Sequence, residues 1–272
     1  MSRSKPEPPR LATDAPPTQP AVHVAGPHPG LLLDGDHDLC PGCGEPVAIR
    51  LLLEVIEELG CGQSSIATVG IGCYTAFTSI IDLDMVQALH GRAPSVATGI
   101  KRMRPQNLVF TLQGDGDMVN EGLQEVLHTA ARGESVTCIL LNNGVFGETG
   151  GHMTSTSVLG QRTKNSLEGR DAAYHGQPIL IGDILASLDG TAYAARGSVA
   201  DAASISQTRK LLKKAFQAQL DGEGFSFVEI LTMCPTGWFI ETARGPDYLS
   251  EVLGAVHVTG ELKSGRQEAR RG

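Results

Sequence analysis

The sequence predicts an α/β domain with a mostly parallel, doubly wound sheet. Three observations predict it. Apolar runs of strand length alternate with segments whose apolar residues recur at helical spacing. The runs close on glycine or asparagine. Four unusual segments, Gly70-Ile71-Gly72-Cys73, Gly114-Asp115-Gly116-Asp117, Asn142-Asn143 and Cys234-Pro235-Thr236, each follow such a run. That is the edge at which open parallel sheets bind ligands.

Taken in order, Val47, Ala48, Leu51, Leu52, Val55, Ile56 and Leu59 predict an amphipathic helix over 45–59. Residues 66–69 are a short apolar run ending at glycine, and 108–112 read as a strand leading into the Gly-Asp-Gly-Asp loop. Val119, Leu123, Val126, Leu127 and Ala130 form one helical face, stopped by Gly133. A buried strand over 136–141 follows, then a helix over 183–188, a strand over 191–195, a helix over 200–220 and a strand over 225–231. No internal repeat is present.

The 272 residues suffice for a sizeable core, and a hydrophobic share of 41% excludes wholesale disorder. Twenty-two basic against 30 acidic side chains give a net charge of −8, and aromatics are only 4%, which argues against nucleic-acid binding. No apolar run approaches the roughly 18 residues of a membrane span. The first twenty residues are proline-rich and polar, without the apolar core of an export signal, so a cytoplasmic protein is expected. Proline crowding makes residues 1–35 an expected solvated tail, and 260–272 a second, leaving 36–259 as the ordered domain.

The Gly-Asp-Gly-Asp loop carries the first chemical signal. Gly114 and Gly116 let the backbone turn tightly beside a ligand, and the helix that follows presents free amides to an anion. Asp115 and Asp117 would repel a bare phosphate. A divalent cation between carboxylate and phosphate resolves the conflict, and magnesium takes such oxygen ligands. Asn143 ends the next strand 28 residues after Asp115, one helical crossover away, and can add an amide oxygen, with a backbone carbonyl just beyond it.

This pattern resembles the signature of thiamine diphosphate enzymes. The resemblance implies that Asp115, Asn143 and the carbonyl of Val145 hold magnesium. It further implies that Asp117 and the amides of Gly116, Gly147 and Glu148 lie near the diphosphate.

Six cysteines stand at 40, 43, 61, 73, 138 and 234. Cys40-Pro41-Gly42-Cys43 precedes the first helix rather than following a first strand, which weakens a redox-dithiol reading. Cys73 and Cys234 each end a predicted strand, so the four could hold zinc or a [4Fe–4S] cluster. Cys138 is expected to be a buried thiol and Cys61 incidental.

Cys40-Pro-Gly-Cys43, Gly70-Ile-Gly-Cys73, His90-Gly91-Arg92, the Gly-Asp-Gly-Asp loop, Asn142 to Gly151 and Cys234-Pro235-Thr236 occur in that order. Together they resemble the β, thiamine diphosphate-binding subunit of the 2-oxoacid:ferredoxin oxidoreductases. The likeness covers about residues 38–238 and implies a doubly wound fold of the thiamine diphosphate-binding type. It assigns Cys40, Cys43, Cys73 and Cys234 to a [4Fe–4S] cluster, and places Gly72, Cys73, Tyr74 and His90 at the diphosphate end of the pocket. The implied reaction is coenzyme A-dependent oxidative decarboxylation of a 2-oxoacid, with electrons passing through the cluster to ferredoxin. The chain has no room for a second cofactor-binding domain, so the glutamate that activates the aminopyrimidine is expected on a partner α subunit, with γ and δ subunits beside it.

Two departures bear on substrate. Tyr74, Thr75, Ala76 and Phe77 follow Cys73 where some family members carry a nearby lysine, so a branched-chain or aromatic 2-oxoacid is favoured over 2-oxoglutarate or pyruvate. His152 stands where glutamine is common. Two other readings fit the same residues: a non-redox thiamine diphosphate decarboxylase or ligase whose four cysteines hold structural zinc, and a non-catalytic binding subunit.

Overall fold

The computed structural model describes residues 29–33 and 37–265. Helix α1 is Glu45–Glu58; strand β1, Ser65–Val69, follows, then β2, Asp84–Gln87. Helix α2 (Ala93–Met103) leads to β3 (Leu108–Gly114), a π-helical turn over Gly116–Glu121, α3 (Leu123–Ala131) and β4 (Thr137–Asn142). A two-residue hairpin, β5 (Val145–Phe146) with β6 (His152–Met153), opens a long excursion that includes the single turn α4 (Ala172–His175). The chain closes with α5 (Ile181–Ser187), β7 (Thr191–Ser198), α6 (Ala202–Leu220), β8 (Phe225–Leu231), the short turn α7 (Pro235–Trp238) and β9 (Gly260–Ser264).

Seven strands form one sheet in the order β2-β1-β3-β4-β8-β7-β9. All its pairings are parallel except that of β9 on β7. Alternation along the inner strands sends side chains to two separate cores. Phe110, Leu112, Ile139, Leu141, Val228 and Ile230 meet α1 and α6 on one face. Val109, Cys138, Leu140, Phe225 and Phe227 meet α2, α3 and α5 on the other. A sheet covered on both faces needs apolar residues at successive positions, which is why 136–141 and 225–231 read as continuous apolar runs.

Several boundaries differ from the sequence expectation. The expected helix spanning 119–130 is two pieces, because Gly122 interrupts it. A Cβ on Gly122 would sit 2.5 Å from the Gly91 backbone, so the two glycines bring the loop after β2 against the turn after β3. Strand β2 and helix α2 carry weak periodicity. The former is a half-exposed edge, and the latter buries only Ala93, Pro94, Ala97 and Thr98. The expected C-terminal tail begins too early: residues 260–264 form β9, where alternating Gly260, Leu262 and Ser264 give no apolar run to read. The expected N-terminal tail lies mostly outside the described residues, but Leu31 and Leu32 within it are buried. They are fixed by hydrogen bonds from Asp82 N to Leu31 O (2.7 Å) and from Leu33 N to Ile80 O (2.8 Å).

Strand order reverses beside β1: the chain runs outward to β2 and returns to β3 on the other side. The crevice between the carboxyl ends of β1 and β3 is therefore the switch point at which such sheets bind ligands.

Candidate thiamine diphosphate and cluster site

Register places the oxygen ligands side by side. Gly114 pairs with Leu141, so Asp115 leaves β3 beside the point where Asn142-Asn143 leaves β4. The two asparagines then diverge in role. Asn142 donates through Nδ2 to Glu229 Oε1 (2.6 Å) and accepts from Gly144 N (3.0 Å). Glu229 in turn receives the fully buried guanidinium of Arg196, Nε to Oε2 at 2.7 Å. Asn142 thus anchors the turn. Asn143 faces the crevice, its side-chain oxygen accepting from Val145 N (3.0 Å) and its carbonyl from the Trp238 indole (2.7 Å).

Asp115 is buried, and its Oδ2 accepts from the hydroxyls of Thr154 and Thr156, both at 2.6 Å. Burial pushes its carboxyl up to about 6, against the lowering effect of those hydrogen bonds. Asp117 ties the rim together: Oδ1 accepts from Gly91 N (2.9 Å) and lies 3.0 Å from His90 Nδ1, while Oδ2 accepts from Gln113 Nε2 (2.7 Å).

A cavity of about 80 Å³ opens here. Gly72, Cys73, Tyr74 and His90 line one side; Asp115, Gly116 and Asp117 the second; Asn143, Val145, Gly147 and Glu148 the third. Every residue expected at the cofactor end therefore meets in one crevice. A second cavity of about 570 Å³ adjoins it, and Cys40, Cys43, Cys73 and Cys234 all face it. The cavities share Glu45, Cys73, Asn143, Gly147 and Glu148 as a common wall. Gly147 is the tightest point of that wall: a Cβ there would lie 3.3 Å from Cys73 Sγ and 3.6 Å from Cys234 Sγ.

The donor set asks for cations. Glu45, Asp115, Asp117 and Glu148 line the first cavity, and among the described residues lining either cavity there is no lysine or arginine. Lys164 packs against Gly150, itself a wall residue, and Arg92 is held by Glu125 at 2.6 Å. Glu45 shows the strain of that arrangement. Burial first, then Asp115 and Glu148, push its carboxyl up to about 8, and its Oε2 has no hydrogen-bond partner. The thiols respond alike. Burial raises Cys73 and Cys234 to about 12, Glu45 adding to both, and raises Cys43 further. A metal bound by thiolates and carboxylates removes both penalties by displacing the protons.

Sequence reasoning missed part of this site. Glu45 reads only as a helix start, and Thr154 and Thr156 as loop residues; no spacing links them to Asp115. Cys138 is buried mid-strand, as expected, and Cys61 is buried beside Leu59. His152 belongs to β6 and pairs with Thr149 Oγ1 (3.1 Å), away from both cavities.

Comparison with known proteins agrees with this geometry. Residues 60–230 match the family described as thiamine pyrophosphate enzyme, C-terminal TPP binding domain. The ketoisovalerate oxidoreductase subunit VorA of Methanothermobacter marburgensis is 39% identical over 79% of this chain and 45% of its own length. The 2-oxoglutarate synthase subunit KorB of Archaeoglobus fulgidus is 32% identical over 78% of this chain and 75% of its own. A 2-oxoglutarate:ferredoxin oxidoreductase of Magnetococcus marinus, solved with 2-oxoglutarate, coenzyme A and succinyl-CoA, superposes with a TM-score of 0.73 at 25% identity, covering 90% of this chain and 88% of that one. The chain thus spans about half the length of VorA and three quarters of KorB. No described helix is long and apolar enough to cross a membrane. By sequence and fold, the chain belongs to the thiamine pyrophosphate enzymes and, among them, to the β subunits of the 2-oxoacid:ferredoxin oxidoreductases.

Proposed function

We propose that this chain is the catalytic β subunit of a cytoplasmic 2-oxoacid:ferredoxin oxidoreductase that decarboxylates a branched-chain or aromatic 2-oxoacid and delivers the acyl group to coenzyme A. The observation that carries this reading is the shared wall. Residues suited to a magnesium diphosphate and residues suited to an iron–sulfur cluster face adjoining cavities with Glu45, Cys73 and Gly147 between them. Asp115, Asn143 and the Val145 carbonyl would hold magnesium, and Cys40, Cys43, Cys73 and Cys234 a [4Fe–4S] cluster. Bound there, thiamine diphosphate supplies the electron sink for decarboxylation and the cluster a one-electron acceptor.

The chain's own residues do the rest. Asp117 fastens the loops after β1 and β2 to the Gly-Asp-Gly-Asp turn, so the crevice is formed before a ligand enters. Trp238 holds the Asn143 carbonyl, and with it the loop between the cavities. The thiol spacing supports a cluster over zinc. Among the described residues no three Cys, His, Asp or Glu side chains are grouped tightly enough for one ion. A cubane gives each thiolate its own iron and suits a wider quartet.

The larger cavity supports the substrate class. Its walls include Leu39, Ala76 and Pro235 beside Asp38, Glu45 and Glu148. A second substrate carboxylate would meet acids there, whereas a branched apolar tail would not. The greater identity to a ketoisovalerate oxidoreductase subunit than to KorB points the same way. The partner is an α subunit that brings the pyrimidine-binding domain and its activating glutamate, with γ and δ subunits and ferredoxin as acceptor. Turnover of the assembled complex with 3-methyl-2-oxobutanoate, 2-oxoglutarate and pyruvate tests this. The branched acid is expected to give the highest kcat/KM, and the reconstituted chain alone no turnover. Preference for 2-oxoglutarate, or robust decarboxylation by the isolated chain, would contradict it.

A further inference from the structure

Asp115 is steered by a segment that lies about 40 residues further along the chain. Thr154 and Thr156, both buried, donate to the same carboxylate oxygen, Oδ2, at 2.6 Å each. Two hydrogen bonds on one oxygen fix the rotation of the carboxylate and leave Oδ1 as the oxygen to offer a cation.

The segment is itself fastened from two sides. The guanidinium of Arg170 donates to six backbone carbonyls. Nη1 reaches Thr154 (3.1 Å), Ser155 (3.1 Å) and Ser157 (2.7 Å). Nη2 reaches His175 (3.1 Å) and Gln177 (2.9 Å), and Nε reaches Gly176 (3.0 Å). On the other side, the fully buried His257 donates through Nε2 to the Thr156 carbonyl at 2.9 Å. With the carbonyls turned to Arg170 and His257, the threonine hydroxyls point at Asp115. Six donations from one guanidinium to a single loop exceed what closing a surface loop requires, and they converge on the stretch that touches the metal-side carboxylate.

We propose that Thr154 and Thr156 are positioning residues for magnesium, orienting Asp115, and that Arg170 and His257 hold the pair in place. The inference rests on the reading of Asp115 as a magnesium ligand. Partners that orient a metal ligand typically change affinity by about 10–100-fold when removed.

The test is calorimetric titration of Mg²⁺ into the assembled complex at saturating thiamine diphosphate. Thr154→Val with Thr156→Val keeps the side-chain shape and removes both hydroxyls, and is expected to raise the half-saturating Mg²⁺ concentration about 10–100-fold. Thr154→Ser with Thr156→Ser restores the hydroxyls and is expected to restore the affinity. Arg170→Met is expected to follow the valine pair. The visible spectrum of the cluster should be unchanged throughout, because other loops supply its thiols. If the double valine variant does not accumulate, each single valine variant, lacking one hydrogen bond, is expected to show a partial loss. Parental Mg²⁺ affinity in the valine variants, or serine variants as weak as valine, would overturn the inference. Parent complex without Mg²⁺-dependent thiamine diphosphate binding would instead overturn the reading on which it rests.

Discussion

Asp115→Ala is expected to abolish magnesium-dependent binding of thiamine diphosphate in the assembled complex. It removes the carboxylate that stands between Thr154, Thr156 and the crevice. Removing a direct ligand should exceed the effect of removing its supporting hydroxyls, on the order of 100-fold or more in affinity. The cavity would still carry Glu45, Asp117 and Glu148, and without a cation those acids repel a diphosphate. The pH dependence of the parent follows the same carboxyl. Burial sets its acid form to prevail below about pH 6 in the metal-free chain. Protons then compete with magnesium, so cofactor affinity should fall as pH drops through about 6 and level off above it. Equilibrium binding of thiamine diphosphate at graded Mg²⁺ and pH measures both effects. Parental affinity in the alanine variant would remove Asp115 from the site.

Cys73→Ala is expected to cost the complex its cluster and to weaken cofactor binding together. Cys73 alone among the four thiols faces both cavities, as the first residue of the turn that follows Gly72. Cys40→Ala opens only the outer, exposed corner of the larger cavity, so iron should be lost while magnesium-dependent cofactor binding survives. Cys138→Ala is the control: that thiol lies in the middle of β4, on the opposite core, and iron content should not change. Iron and acid-labile sulfide per chain, with the cofactor dissociation constant, separate the three variants. A Cys73→Ala protein with full iron content would break the link between the cavities.

The central strands were legible because they are buried on both faces, so their sequences are apolar at successive positions and end on glycine or asparagine. The outer elements were not. Strand β2 is an exposed edge and β9 alternates polar with apolar residues, so neither stands out from loop composition. The site divides along the same line. Asp115, Asn143 and the four cysteines could be read from their places beside strand ends and the first helix, and strand ends in a parallel sheet share one rim. Glu45 could not, since its place in the common wall depends on how α1 packs over the rim rather than on its neighbours in sequence. Nor could Thr154, Thr156 and Arg170. Their meeting with Asp115 is made by an irregular excursion whose path is fixed by hydrogen bonds to carbonyls, which every residue has and no pattern reveals.

The account depends most on four thiols and one diphosphate site sharing a wall. Anaerobic purification of the intact complex, with iron and sulfide quantified per β chain and an electron paramagnetic resonance spectrum recorded after reduction, tests it most directly. The predicted result is a [4Fe–4S] signal that disappears in the Cys73→Ala complex, with one cluster's worth of iron and sulfide lost per β chain. Stoichiometric zinc in place of that iron, or a cluster signal unchanged by loss of Cys73, would contradict it.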